Sequence, residues 1–433
     1  MAKASDLPKA MNVAPAPRKL RIGFVYSRVP FPMMRGDQLT VAHLISFLSA
    51  RGHDIDFHTL DVDGQMDPAQ EAWLKGACRS VSIRPQGKVA KALGVLKGLL
   101  KGLPMQAGLF ENAALTAAVR ARIEAGDYDI VYVYYLRSAE VLPDGFGPGR
   151  KVVRGGHPVA AFLAMQLSQT LNTERIYRNQ KPGPKKPIFL LEWLLLRRYE
   201  ARVWQRFTRS VLIGPSDVEA VKAECRRAGE REIDNWVYGA HGTDIDRFFP
   251  ARPDEIVPNR IVFSGSMLYA PNVQAVQWFV ENCWASVRAR VPQAELVIQG
   301  RDPLPEIQAL NGRDGIIVTG TVPDVGAMIR SAAVCINPMR AAGGMQNKLI
   351  EYMACGKAIV ATSVANEGIL APQDALLIAD TSDTFADAVV GLLADRSAAD
   401  ALAASARAYV QDNWTWEAHF LKLEENFYQA LKG

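Results

Sequence analysis

Apolar residues in this chain fall into short continuous runs separated by stretches of helical periodicity. The run LRIGFVYS (20–27) is followed by a Pro/Gly loop, a helical stretch LTVAHLISFLSARG closing on Gly52, and a second run, IDFHTLD. Strand, crossover helix and strand in succession predict a parallel α/β sheet. IVYVYYL (130–136), KVVRGG (151–156) and SVLIGPS (210–216) read as further strands, with a helix over 114–124 ahead of the first. Such near-continuous apolar runs are what strands covered on both faces require. A Pro-containing stretch, FFPARPDEIVPN (248–259), interrupts the pattern, which then restarts. IVFSGSM, ELVIQGR, IIVTGTV, AVCINPM, AIVATS and ALLIAD recur, with helices such as NVQAVQWFVENCWASVRAR and QNKLIEYMACG between them. Two doubly wound halves are therefore expected. Trp416, Phe420, Leu423, Phe427 and Leu431 mark the apolar face of a closing amphipathic helix. The expected division is a flexible tail (1–19), an N-terminal Rossmann-like domain (20–240), a C-terminal Rossmann-like domain (241–413) and a helix (414–433) packing on the N-terminal domain.

Composition narrows the class without changing this architecture. With 433 residues, 49% hydrophobic and 22% charged, the chain is neither fibrous, disordered nor a disulfide scaffold. Five scattered cysteines without a CxxC pair support neither a zinc site nor a redox motif, and fit a reducing cytoplasm. No stretch approaches the roughly 20 apolar residues that span a bilayer. The net charge of +5 is too small to argue for nucleic acid, but it is unevenly placed. Lys88, Lys91, Lys97 and Lys101 lie among Leu and Val in GKVAKALGVLKGLLKGLPMQAGLF (87–110), a basic amphipathic pattern suited to an anionic membrane surface. Glycines at 94, 98 and 102 weaken that helix, by ~1 kcal/mol each relative to Ala. The plainer alternative is a helix packing its Leu side on the sheet. A second cluster, Arg175, Arg178, Lys181, Lys185 and Lys186, precedes the apolar, Arg-rich segment 189–207.

In open parallel sheets ligands bind on the loops that follow the strands. The loop after the first strand, Pro30 to Asp37, has a single glycine, Gly36, and no GxGxxG. Asp61, ending the second strand, reads as a turn residue. The segment NPMRAAGGMQNKLIEYMACGKAIVAT (337–362) says more. A strand ends at Pro338, Arg340 and a small-residue loop through Gly343 and Gly344 follow, and a helix begins near Gln346. Free N–H groups and the positive dipole end of such a helix favour a phosphate. Arg340 and Lys348 add charge, and Glu351, one turn in, is placed to accept from a ribose.

NKLIEYMACGKAIVATSVANEGI resembles the donor-site signature of GT-B glycosyltransferases of family 4, in the branch found in bacterial exopolysaccharide and cell-envelope gene clusters. FSGSMLYAPNVQAVQWF (263–279), YGAHGTDIDRFFP (238–250) and PFPMMRGDQLTVAHLISFLSARGH resemble other parts of that family. The resemblance implies two Rossmann-like domains facing a central cleft, with the donor on the C-terminal one. It also implies retaining transfer of a hexose from a UDP- or GDP-sugar, with no metal and no other cofactor. Donor contacts are expected from Gly36, Gly265, Ser266, Asn272, Arg340, Gly343, Gly344, Met345, Gln346, Lys348 and Glu351. Two departures stand out: the first of the family's paired glutamates falls on Gly343, and Ser266 and Asn272 stand where Arg and Lys are usual. Near the anomeric carbon the family places an N-domain residue, for which His157 and Tyr134, with neighbouring Tyr135, are the candidates. His241 replaces the usual Asn of the joint. The Asp54–Asp56, Asp61–Asp63 and Asp244–Asp246 pairs read as structural rather than metal-binding.

The basic patches then suggest a lipid-linked glycan or glycolipid acceptor and a cytoplasmic protein on the inner face of the plasma membrane. A sugar-nucleotide 2-epimerase of the same fold, and a non-catalytic nucleotide-sugar-binding protein, are the rival readings.

Overall fold

A computed structural model describes residues 7–8, 11–33, 36–62, 66–179, 183–239, 242–267, 269–340 and 345–432. The chain divides into two compact units, Met1–His241 with His419–Gly433, and Gly242–Ala418. Because the last segment belongs to the first unit, the chain leaves the second one part-way along its closing helix, Trp416–Lys432.

The sheet of the first unit contains β1 (Arg21–Tyr26), β2 (Asp54–Asp61), β3 (Ser80–Pro85), β4 (Ile130–Tyr134), β5 (Val152–Arg154), β6 (His157–Gln166), β7 (Arg209–Leu212) and β8 (Trp236–Tyr238). Their order is β3-β2-β1-β4-β6-β7-β8, all parallel, with β5 added antiparallel to β6. Strand order reverses between β1 and β4, which pair with Tyr26 opposite Tyr134. The second unit repeats the design with β9 (Arg260–Ser264), β10 (Glu295–Gln299), β11 (Ile316–Gly320), β12 (Val334–Asn337), β13 (Ala358–Ala361) and β14 (Leu377–Ile378). These are ordered β11-β10-β9-β12-β13-β14, and the reversal falls between β9 and β12. Each reversal opens a crevice at the carboxyl ends of the strands.

The strand read in KVVRGG is present as β5, but no functional loop follows it. It is one arm of a hairpin that turns at Gly155 and Gly156, both with positive φ, into β6. β6 is the true sheet strand of this region, and His157 is its first, exposed residue. The three Asp-x-Asp pairs are largely accounted for by structure. Asp56 is fully buried and accepts from Arg79 Nε (3.0 Å) and Ser80 Oγ (2.6 Å), with Arg122 at 2.7 Å. Asp54 pairs with Lys19, and Asp244 Oδ1 accepts from the N–H groups of Asp246 and Arg247. Asp63 lies outside the described residues.

The closing helix is fixed to the first unit by packing and by one buried carboxylate. Phe427 meets Tyr132 and Phe162 edge-on at 5.8 and 4.8 Å, and Phe420 packs on Phe47. Glu424 is 3% exposed and accepts from Arg51 Nη2 (2.7 Å) and Nε (3.0 Å). The N–H of Leu20 donates to His53 Nδ1, so the His53 proton sits on Nε2, which donates to Glu424 Oε1 at 2.6 Å. These donors outweigh burial and hold the Glu424 carboxyl below its ordinary range. Glu424→Ala would leave Arg51 buried without its counter-charge, at a cost of about 3–5 kcal/mol. Denaturant unfolding should show that loss, and Glu424→Gln should recover part of it; an unchanged midpoint in E424A would contradict this account of how the helix is held.

Candidate functional site

The β9–β12 crevice gathers most of the donor residues read from the sequence. β12 ends at Asn337, and the helix Asn347–Ala354 starts beyond a loop whose residues 341–344, including Gly343 and Gly344, lie outside the described residues. Gln346 occupies the N-cap with extended backbone and gives no side-chain hydrogen bond to the helix. Met345 packs against the apolar core of the unit. On the first turn, Lys348 is buried and its Nζ donates to Asn272 Oδ1 at 2.5 Å. Asn272 Nδ2 in turn donates to the Ser266 carbonyl at 2.9 Å. One buried ammonium therefore ties the helix to the loop after β9. Gly265 belongs to this arrangement because a Cβ there would meet Asn272 Nδ2 at 2.6 Å. The Phe263 ring lies 4.4 Å from Lys348 Nζ, adding a cation–π contact.

Burial lowers the proton affinity of Lys348 to a pKa of about 7, with the neighbouring Glu351 opposing the shift. Glu351 is partly exposed at the next turn, and burial lifts its carboxyl to about 7 against the pull of Arg247 and Lys348. No described residue donates a hydrogen bond to it. Burial therefore weakens the charge on both groups. Arg340 is not part of this cluster. Its guanidinium lies 4.8 Å over the Trp278 ring and donates to the Asp380 carbonyl at 2.7 Å, so the charge sought there is already engaged.

In the first unit, the two catalytic candidates are corrected. His157 stands three residues before Ala160, which pairs with Ile130 at the start of β4. It therefore lies at the amino-terminal edge of the sheet, opposite the crevice. Tyr134 is at the correct edge, but its ring is 1% exposed within a cluster of Tyr26, Tyr132 and Tyr135. Burial raises its hydroxyl well above the ordinary range, leaving no usable proton near neutrality. Sequence reading underrated Tyr135, which is partly exposed and holds φ of +69°, an unusual conformation for an aromatic residue. Gly36 opens the helix Gly36–Ala50 and Asp37 follows it, accepting from the Tyr26 hydroxyl at 2.8 Å.

The basic helix in the same unit also differs from its plainer reading. In Lys88–Leu100 the glycines form the buried face: a Cβ on Gly94 would collide with the Gly108 carbonyl of the helix Met105–Leu109, and one on Gly98 would press on Gly108 Cα at 3.1 Å. The close approach turns the large side chains outward, leaving Val89, Leu93, Leu96 and Leu100 at 74, 51, 57 and 83% exposed. Glu192, from the helix Lys185–Val203, accepts from the first N–H groups of Met105–Leu109 at 2.6 and 3.2 Å. That longer helix exposes Ile188, Leu191 and Leu194 in its own stripe. Lys88, Lys97, Lys101 and Lys185 are exposed; Lys91 donates to the Val62 carbonyl and Lys186 lies over Tyr177. Arg175 and Arg178 are exposed on Gln169–Asn179, Arg178 paired with Glu174.

Residues 258–395 match the family model described as glycosyl transferases group 1, a span that contains Gly265, Ser266, Asn272, Arg340, Lys348 and Glu351. A Klebsiella pneumoniae protein described as an uncharacterized 44.6 kDa protein in the cps region is 20% identical over 410 residues, covering 91% of this chain and 96% of its own. Among solved structures, sucrose-phosphate synthase from Thermosynechococcus elongatus superposes with a TM-score of 0.60 at 17% identity, over 96% of this chain and 100% of that one. Anabaena HepE, solved in complex with UDP, gives 0.57 at 13% identity over 94% and 100%. The fold is accordingly GT-B, two parallel-sheet α/β units in one chain. Among the described residues no helix is long and apolar enough to cross a membrane.

The raised Glu351 carboxyl has a consequence for stability. An acid whose folded pKa lies near 7 rather than 4.5 contributes stability that is complete below 4.5 and lost as pH rises through 7. Thermal melts of Glu351→Gln should therefore lose less stability between pH 5 and 7 than wild type. Parallel slopes in the two proteins would mean that Glu351 ionises normally.

Proposed function

We propose that this chain is a retaining glycosyltransferase of family 4 type that moves a hexose from a UDP- or GDP-sugar to a lipid-linked glycan or glycolipid. The observation that carries the reading is the Lys348–Asn272–Ser266 chain, with Glu351 one turn beyond, at the head of the helix Asn347–Ala354. A diphosphate seated there meets the ammonium of Lys348 and the uncapped N–H groups of the first turn. Its charge restores the proton affinity that burial has taken from Lys348. As the sugar–phosphate bond breaks, these fixed donors stabilise the negative charge on the departing diphosphate without a metal. Glu351, which accepts from no donor among the described residues, takes the ribose hydroxyls. The likeness to HepE, solved with UDP and with UDP-glucose, supports a nucleotide-sugar donor, and the cps-region relative supports envelope polysaccharide synthesis.

The acceptor side follows from the outward stripes on Lys88–Leu100 and Lys185–Val203. Exposed Leu and Val flanked by lysines gain by entering an anionic lipid surface, where the apolar area leaves water and the ammonium groups stay at the headgroups. The protein then works on the inner face of the plasma membrane, drawing its acceptor from the lipid.

Two experiments test this. Incubated with UDP- or GDP-hexoses and a membrane lipid extract, the protein should transfer sugar and release the nucleotide diphosphate, with activity surviving EDTA. Lys348→Met should cut kcat/KM by about 10²–10³-fold, the usual cost of one preorganised donor. Undiminished transfer by K348M would contradict the site, and sugar inversion at C2 without transfer would make the protein an epimerase. In flotation with phosphatidylglycerol-containing vesicles, Leu93→Gln with Leu96→Gln should weaken binding about tenfold or more. Equal flotation of this variant and wild type would rule out that face as the membrane contact.

A further inference from the structure

The crevice at the β1–β4 reversal of the first unit contains more positive charge than its own carboxylates balance. Arg28 follows β1 and Arg137 follows β4, and both guanidinium groups stand over one ring, Phe110, at 5.5 and 4.6 Å from its centroid. Arg137 also covers Tyr135 at 4.4 Å and donates from Nε to Ser27 Oγ at 2.6 Å. Asp37 is the counter-charge in contact, 3.3 Å from Arg137 Nη2, and it already accepts from the Tyr26 hydroxyl. Arg28 is only 8% exposed, its Nε is enclosed without a partner, and among the described residues no hydrogen bond or ion pair reaches it. Burial and then the neighbouring Arg28 weaken the hold of Arg137 on its proton, as two crowded cations should.

An unpaired buried guanidinium is costly to keep, and a planar five-donor fork is the side chain best matched to an oxyanion. The surrounding backbone is also strained: Tyr135, between the strand end Tyr134 and the 3-10 turn that begins at Leu136, holds φ of +69°, and such conformations concentrate where ligands are gripped. The crevice opens through the partly exposed Arg137, Tyr135 and Phe110 and is closed behind by Arg28.

We propose that Arg28 and Arg137 form an oxyanion-binding site that takes a phosphate or carboxylate group of the acceptor. Calling the ligand an acceptor rests on the glycosyltransferase reading; the anion site itself does not. It makes the acceptor an acidic molecule, held through its charge on the first unit, while the sugar nucleotide occupies the second.

The test uses the full-length protein in thermal-shift titrations with inorganic phosphate and with acetate, at constant ionic strength held with chloride and with UDP saturating the donor site. Wild type should be stabilised by one or both anions, phosphate alone indicating a phosphoryl acceptor and acetate as well a carboxylate. Arg28→Met should melt higher than wild type in chloride, because an unpaired buried charge is gone, and should lose most of the anion response. Arg28→Lys, which keeps the charge but not the fork, should fold and need about tenfold more anion. An anion response that survives intact in both variants, or no response in wild type, would overturn the proposal. Failure of UDP to shift wild type would instead count against the transferase reading, with the comparison of Arg28 variants still deciding the anion site.

Discussion

A lysine ammonium taken out of water must be paired, hydrogen-bonded or partly discharged, and Lys348 meets this constraint with one amide. Because Asn272 is its partner and Asn272 is itself held to the Ser266 carbonyl, the position of the helix Asn347–Ala354 is coupled to the loop after β9. The small residue at 265 keeps that coupling possible, since any side chain there would displace the Asn272 amide. The apolar packing beneath, from Phe263 to Met353, supplies the low dielectric that weakens the lysine's charge and the acidity of Glu351 together. On the proposed reading, these two groups take the diphosphate and the ribose of a sugar nucleotide.

The two units apply one topological rule twice. In each, the strand order reverses once among the described strands, at β1–β4 and at β9–β12, and in each a buried cation stands near that point, Arg28 in the first unit and Lys348 in the second. In the second unit this charge is assigned, on the proposed reading, to a donor diphosphate; in the first, Arg28 is buried without a polar partner among the described residues and Arg137 has Asp37 as its counter-charge. The helices Lys88–Leu100 and Met105–Leu109 of the first unit are a separate device. Their glycines bring two backbones together so that leucines are driven to the surface rather than to the core.

Most of the architecture was legible because the buried parallel strands are nearly continuous apolar runs, and no other element of the chain looks like IVYVYYL or AVCINPM. Three strands escaped this signal: β8 is only three residues long, too short to show a pattern, and the other two have further physical reasons. SVSIRP, now β3, is an edge strand with polar and apolar residues mixed, and HPVAAFLAMQ, now β6, hides its length behind a proline and three alanines. Missing β6 misplaced His157, because a residue read as following a strand actually begins one. Lys348 and Glu351 were singled out by their place at the head of a helix and Asn272 by the family resemblance, whereas the engagement of Arg340 with Trp278 and Asp380 is a tertiary contact that no sequence pattern shows. The outward stripe of Lys88–Leu100 was visible as a pattern, but its direction depended on Gly108, in a different helix. Arg28 carried no sequence signal at all; only the absence of a partner in three dimensions draws attention to it.

A crystal structure of the protein with UDP tests the central claim most directly. The account predicts diphosphate oxygens within hydrogen-bond distance of Lys348 Nζ and the first N–H groups of the helix Asn347–Ala354, and ribose hydroxyls on the Glu351 carboxylate. A nucleotide bound elsewhere, with the Lys348 ammonium still on Asn272 and Met339 and Glu351 untouched, would contradict it.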